Sequence, residues 1–186
     1  MWRLLILLLC VYKPALGHEI IISPESGTVK ITAQAGVVID ERSNLSIDQL
    51  SQSNFEYDYT STNFGRTDNT IWVKLSIKNV QDNPNLIINI NNSTLDKISL
   101  FRQFQGEWLE TELGDLRDFH QRIIKLPTFA IPISINQNSS EIIYLRIQSI
   151  DTLSIPITVF SQDDFHYYLY SHYISFGILY GIPLGL

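Results

Sequence analysis

The chain has 186 residues, of which 45% are hydrophobic and 17% charged, and its formal net charge is −6. That apolar content sustains one domain core and excludes wholesale disorder, while the acidic balance excludes non-specific nucleic-acid binding. A single Cys and a single Met exclude an internal disulfide, a cysteine-built zinc site and a Met-rich binding surface.

The first element is a leader. Arg3 supplies a positive start, Leu4–Val11 is an unbroken apolar run, Pro14 breaks it, and Ala15-Leu16-Gly17 offers small residues where a signal peptidase reads. Residues 1–17 are therefore expected to be a signal peptide cleaved after Gly17. The run is shorter than the roughly 20 residues of a membrane span. Leu9 before Cys10 is not small, which argues against a lipoprotein, and cleavage would remove Cys10.

From residue 18 to 162 the dominant period is two, the signature of strands with one buried face. Val29 with Ile31 and Val37 with Ile39 are weak candidates. Ser46-Ile47-Asp48-Gln49-Leu50 carries a short helical signal, and Phe55, Tyr57 and Tyr59 suggest another strand. Ile71, Val73, Leu75 and Ile77 then alternate with Trp72, Lys74, Ser76 and Lys78. After a loop at Gln81–Asn85, Leu86, Ile88 and Ile90 alternate with Ile87 and Asn89. Ile98 and Leu100 follow, and Gln105-Gly106 can close a hairpin between Phe101 and Trp108. Phe129, Ile131, Ile133 and Ile135 form the next set, and the loop Asn136–Ser140 leads to Ile143, Leu145 and Ile147, which alternate with Tyr144, Arg146 and Gln148. Ile155, Ile157 and Val159 close the series. Pro132 and Pro156 lack a ladder donor and are expected at sheet edges or bulges. Roughly nine short strands separated by turn signals predict an all-β, jelly-roll-like sandwich of two sheets.

The tail changes character. No charged residue follows Asp164, and tyrosines and aliphatic residues dominate from Tyr167, with Gly177 and Gly181 four apart. Residues 163–172 read as a juxtamembrane linker and 173–186 as the start of a transmembrane helix that ends short of a full span. The alternative is a hydrophobic tail folded onto the domain.

Chemistry-bearing patterns are few. The chain holds no HExxH, GxSxG, P-loop or dinucleotide fingerprint. His18, His120, His166 and His172 lack metal-ligand spacing, so no catalytic residue, metal or cofactor is expected. Asp163-Asp164-Phe165-His166 reads as a solvated linker, and Glu107 and Glu110 around Trp108-Leu109 are at most a weak paired-carboxylate signal. Side-chain direction is more informative. Trp72 and Lys74 on one strand, and Tyr144, Arg146 and Gln148 on another, oppose the apolar sets. On one concave sheet they would combine aromatic platforms with donors suited to a sugar, and Arg146 with Arg122 would add charge-assisted bonds to an acidic one. The ordinary alternatives are a core tryptophan at Trp72 and an Arg146 paired with Asp115 or Asp96. Trp108, beside the hairpin turn, is expected to be exposed as a rim contact or to cover the sheet edge.

Several segments also form a familiar set. They are Asp40–Ile47, Asn63-Phe64-Gly65 followed by Ile71–Asn79, Leu95–Phe101, Leu113-Gly114-Asp115 with Arg122 downstream, Ile143–Ser149 and Ile155-Pro156. Together, over about residues 38 to 180, they resemble the second type of extracellular sensory domain of bacterial seven-transmembrane receptors with diverse intracellular signalling modules (7TMR-DISM). The resemblance implies a jelly-roll domain in the periplasm, with the chain's C-terminal end in the inner membrane. It also implies a seven-helix membrane unit and a cytoplasmic output such as a histidine kinase or diguanylate cyclase, both missing from this chain. The implied ligand is a carbohydrate-like small molecule, by similarity to carbohydrate-binding modules, and the implied role is sensing rather than catalysis. Expected partners are that ligand and the membrane, with a second copy or a membrane component as further candidates, and no nucleic acid. The competing reading is a periplasmic protein-interaction module that docks another domain through the edge strands of Pro132 and Pro156.

Overall fold

The computed structural model describes residues 19–31, 34–57 and 62–181. The expected signal peptide, Cys10, Tyr59 and residues 182–186 lie outside them. Among the described residues twelve strands, rather than about nine, build two main sheets and a small ribbon. The first sheet runs β1 (Glu19–Ile22), β5 (Thr70–Asn79), β10 (Ser139–Gln148), β7 (Lys97–Phe104) and β8 (Glu107–Leu113), and β3 (Gly36–Asp40) also pairs with β5. The second runs β2 (Thr28–Ile31), β12 (Ile157–Ser161), β6 (Asn85–Ile90) and β9 (Phe129–Ser134), while β4 (Asn63–Arg66) and β11 (Thr152–Ser154) form the ribbon. Three strands beyond the expected number are short ones that a period of two over three or four residues hardly marks.

The order of the strands explains the architecture. From β5 to β12 the chain repeatedly crosses between the sheets, leaving only the β7–β8 hairpin within one of them. Such crossing is how a jelly-roll sandwich closes over one core. β5 is long enough to serve two partners along one edge: β3 pairs with Thr70–Lys74 and β1, in parallel, with Ser76–Asn79.

The alternation read from the sequence sets the layers. Ile71, Val73, Leu75 and Ile77 of β5, and Ile143, Leu145 and Ile147 of β10, face Leu86, Ile88, Ile90, Ile131, Ile133, Ile157 and Val159 across one buried cluster. The Gln105-Gly106 hairpin forms as expected, both residues taking positive φ (52° and 88°) as a primed two-residue turn requires. Pro132 does lie on an edge strand, β9. Pro156 does not: it stands just before β12, an inner strand, and its carbonyl accepts from Asn91 N–H. The proline therefore takes the place of no ladder donor.

Two further layers cover the outer faces. Over the first sheet lies residues 41–57, a strap containing α1 (Ile47–Ser51), whose capping box joins Ser46 and Gln49 reciprocally. The Phe55–Tyr57 stretch yields one isolated bridge, Val37 to Glu56, rather than a strand. Over the second sheet packs α2 (Gln162–Gly181), where Phe165, Tyr168 and Leu169 meet Ile87, Phe160, Leu126 and Ala130. Residues 163–172, read as a linker, are the first half of this helix. It follows β12 without a break because the last strand residue, Ser161, caps it: Ser161 Oγ accepts from Asp164 N–H at 3.1 Å. No helix among the described residues is long and apolar enough to cross a membrane.

Candidate functional site

The outer face of the first sheet is read from its register. One row runs Val38, Trp72, Arg146, Ser99, Glu112 across β3, β5, β10, β7 and β8. The next runs Lys74, Tyr144, Phe101, Glu110, and on the other side Gln148 stands opposite Lys97. All these side chains point away from the core because their strand neighbours fill it.

The strap divides this face into a covered and an open part. Leu45, Ile47, Leu50 and Phe55 close over Trp72, Phe101 and Tyr144, leaving Trp72 1% and Tyr144 3% exposed. Trp72 stacks obliquely on Phe101 (centroids 5.6 Å apart), and Trp108 meets Tyr144 edge-on at 5.5 Å. Lys74 lies over the Phe55 ring at 5.2 Å. Trp72 and Tyr144 are thus core aromatics of a second small cluster rather than open platforms, because the apolar residues of the strap seal the sheet above them. Burial pushes the Tyr144 phenol above the usual range, and the Tyr57 phenolate adds to the rise. Trp108 is half-buried rather than exposed. It covers the cluster's edge, and its Nε1 donates to Asp48 Oδ1 at 3.0 Å.

Beyond the strap the same face is open. A groove of about 570 Å³ is lined by Arg146, Gln148, Lys97, Ser99, Glu110 and Glu112, with Asp96, Leu116 and Arg117 at its rim. Its corner is fixed by a hydroxyl chain: Gln148 Nε2 donates to Thr70 Oγ1 at 2.6 Å, and Thr70 Oγ1 to Ser43 Oγ at 2.7 Å. Ser43 itself sits at φ 53° in the turn that starts the strap. Arg146 stacks its guanidinium over Trp72 at 5.7 Å and reaches the Ser43 carbonyl only at 3.5 Å. Arg117 pairs with Glu112 on the rim.

Of the six residues expected to bind ligand, the groove gathers Arg146 and Gln148. Trp72, Lys74 and Tyr144 lie on the same face beneath the strap. Arg122 lies elsewhere, pinned in the β8–β9 connection. Its guanidinium donates to the Leu126 and Pro127 carbonyls at 2.7 and 2.8 Å, covers the Phe129 ring at 4.5 Å and approaches Asp115 at 3.5 Å. The pairing of Arg146 with Asp115 or Asp96 is likewise corrected. Arg122 takes Asp115, while Asp96 accepts from Ile150 N–H at 2.7 Å and from Ser149 Oγ–H. Lys97, Ser99 and Glu112 were not singled out in the sequence. Alternation around Ile98 and Leu100 marks the first two as outward, and the Gln105-Gly106 turn sets Glu112 opposite Ser99. That β7 lies beside β10 is set by topology alone. Among the described residues, no group of three or more His, Cys, Asp or Glu is placed to hold a metal ion.

The fold and this groove define a β-sandwich with one open polar face, and the comparisons give it a family. The profile of the 7TMR-DISM extracellular 2 domain matches residues 32–161, and the chain belongs to that family. A search of curated proteins found no match. Among solved structures, one similar chain is a family 35 carbohydrate binding module from Clostridium thermocellum. It is 12% identical, with a TM-score of 0.29, over 72% of this chain and 98% of that one. At that level the likeness bears on neither ligand nor site.

Proposed function

We propose that this chain is the periplasmic sensing domain of a bacterial membrane receptor, and that it binds a carbohydrate-like small molecule in the Arg146–Gln148 groove. Membership of an extracellular sensory family supports the class. The observation that carries the site is the open groove of about 570 Å³ with donors and acceptors interleaved on three adjacent strands. That volume falls within the range of small-molecule sites. Vicinal hydroxyls both donate and accept, so they match a surface where Arg146, Gln148 and Lys97 alternate with Ser99 and Glu110. The leader sequence and the tyrosine-rich tail support a domain outside the cytosol, with its C-terminal end at the inner membrane. Output passes to a membrane and signalling module, and the direct strand-to-helix junction at Ser161 is the part of the fold suited to pass it on. The role is binding, not catalysis.

A second reading, a docking module for another extracytoplasmic domain, draws on the free edge strand β8, where Leu109 and the neighbouring Phe104 are 53% and 59% exposed.

A thermal-shift titration of the purified chain with neutral and acidic mono- and oligosaccharides tests the first reading. A ligand at 100 times its Kd raises native stability by about 2.7 kcal/mol. At least one saccharide is expected to raise Tm, and Gln148→Ala to reduce the rise. No stabilisation by any saccharide at millimolar concentration, together with a stable dimer in solution, would replace it with the second.

A further inference from the structure

We propose that the ligand of this groove carries a carboxylate, and that Arg146 is the residue that holds it. The inference rests on the sensing role above and names the chemical class the groove selects.

Three arginines among the described residues are half-buried: Arg102, Arg122 and Arg146. Arg102 forms a two-pronged bond to Glu141, with both contacts at 2.6 Å. Arg122 has Asp115 and two carbonyls. Among the described residues Arg146 has no carboxylate within 4 Å; its one hydrogen bond is to the Ser43 carbonyl at 3.5 Å, and its Nε, like that of Arg122, is buried without a partner. On the directly paired residue of β5, Trp72 Nε1 is likewise buried without an acceptor. A partly desolvated cation with no anion is a costly arrangement, and a guanidinium fork is shaped to take a carboxylate through two parallel bonds.

The walls decide which anion fits. Asp96, Glu110 and Glu112 face Lys97, Arg117 and Arg146 around the groove, and Glu112 is already engaged by Arg117. The charges balance, and Glu110 and Asp96 repel a doubly charged phosphate more strongly than a group of one negative charge, which the Arg146 fork can hold. The same carboxylates, with Ser99, accept bonds from ligand hydroxyls. A hydroxylated monocarboxylate, such as an acidic sugar or a small hydroxy acid, satisfies both sets.

The test is isothermal titration of the full chain with D-galacturonate, D-galactose, L-lactate and inorganic phosphate. The first two differ only in whether carbon 6 is a carboxylate. Galacturonate or lactate is expected to bind, and galacturonate at least about tenfold tighter than galactose. Arg146→Gln should cost the acid about tenfold or more and remove its advantage over galactose. Glu110→Gln, at an exposed position, keeps an acceptor oxygen for ligand hydroxyls and removes a like charge, so it should tighten the acid a few-fold relative to galactose. Added salt should weaken the acid and spare galactose. Galactose binding as tightly as galacturonate overturns the carboxylate while leaving the sensing role intact. Lactate binding without any sugar supports Arg146 while removing the saccharide reading. Tighter binding of phosphate, no binding of either acid, or an Arg146→Gln or Glu110→Gln variant with unchanged acid affinity overturns the inference.

Discussion

Trp72 and Arg146 are paired across two strands, yet one lies in a core and the other lines a groove. Both point outward by the same period of two, and what separates them is where the strap ends. Tyr144, two residues before Arg146, falls on the covered side. Its raised phenol is a stability statement: the unfolded chain ionises first, so the folded state binds more protons between the two values and loses stability there as pH rises. Its contribution is full below the ordinary tyrosine range near about 10 and declines above it. Urea midpoints at pH 8 and above pH 10 should therefore fall more steeply for the native chain than for Tyr144→Phe. Equal slopes would show that the phenol is not buried in solution.

At the scale of elements, the strap is a device for making one face into two. Its helix is a single capped turn whose only buried residue is Leu50. Turn geometry holds its start: Asp40 Oδ2 accepts from Leu45 N–H at 2.9 Å, and Ser46 caps Gln49. Ser46→Ala should cost about 1 kcal/mol through the lost cap, and Leu50→Ala about 2–5 kcal/mol through the cavity over Trp72. Denaturant midpoints check both, and tryptophan emission of Leu50→Ala should shift to the red as water reaches Trp72. The hairpin and the short helix were legible because both are local patterns. Pro156 was misjudged because a proline one residue before an inner strand reads like one within it. Gly114 shows the same limit. It takes φ 134° with the Asp96 carbonyl where a Cβ would stand, an approach no sequence pattern announces.

Across the whole molecule, the two covered outer faces lie on opposite sheets, and only the second connects to the chain's far end. Gly27 is the clasp. It packs so close that any side chain here would collide with Asp164 Oδ2, its carbonyl accepts from Ser161 N–H, and Thr28 Oγ1 donates to Asp164 at 2.8 Å. The start of β2 thus holds the start of α2 against the sandwich. Gly27→Val should displace Asp164, and amide exchange at residues 162–168 should quicken while β5 and β10 keep their protection. Unchanged exchange would show that the helix start is held by Phe165 and its neighbours alone.

The local pattern was enough for the sandwich, since alternation of β-branched and polar residues leaves a strand only one way to face a core. It also determined the outward direction of Arg146 and Gln148. The tertiary structure decided the rest. Pairing of β10 with β7, and of that pair with the β8 carboxylates, depends on loops closing over long sequence distances, where each choice costs chain entropy and only the packed whole repays it. The strap that buries Trp72 and Tyr144, the removal of Arg122 to another end, and the isolation of Arg146 beside balanced charges all follow from that choice.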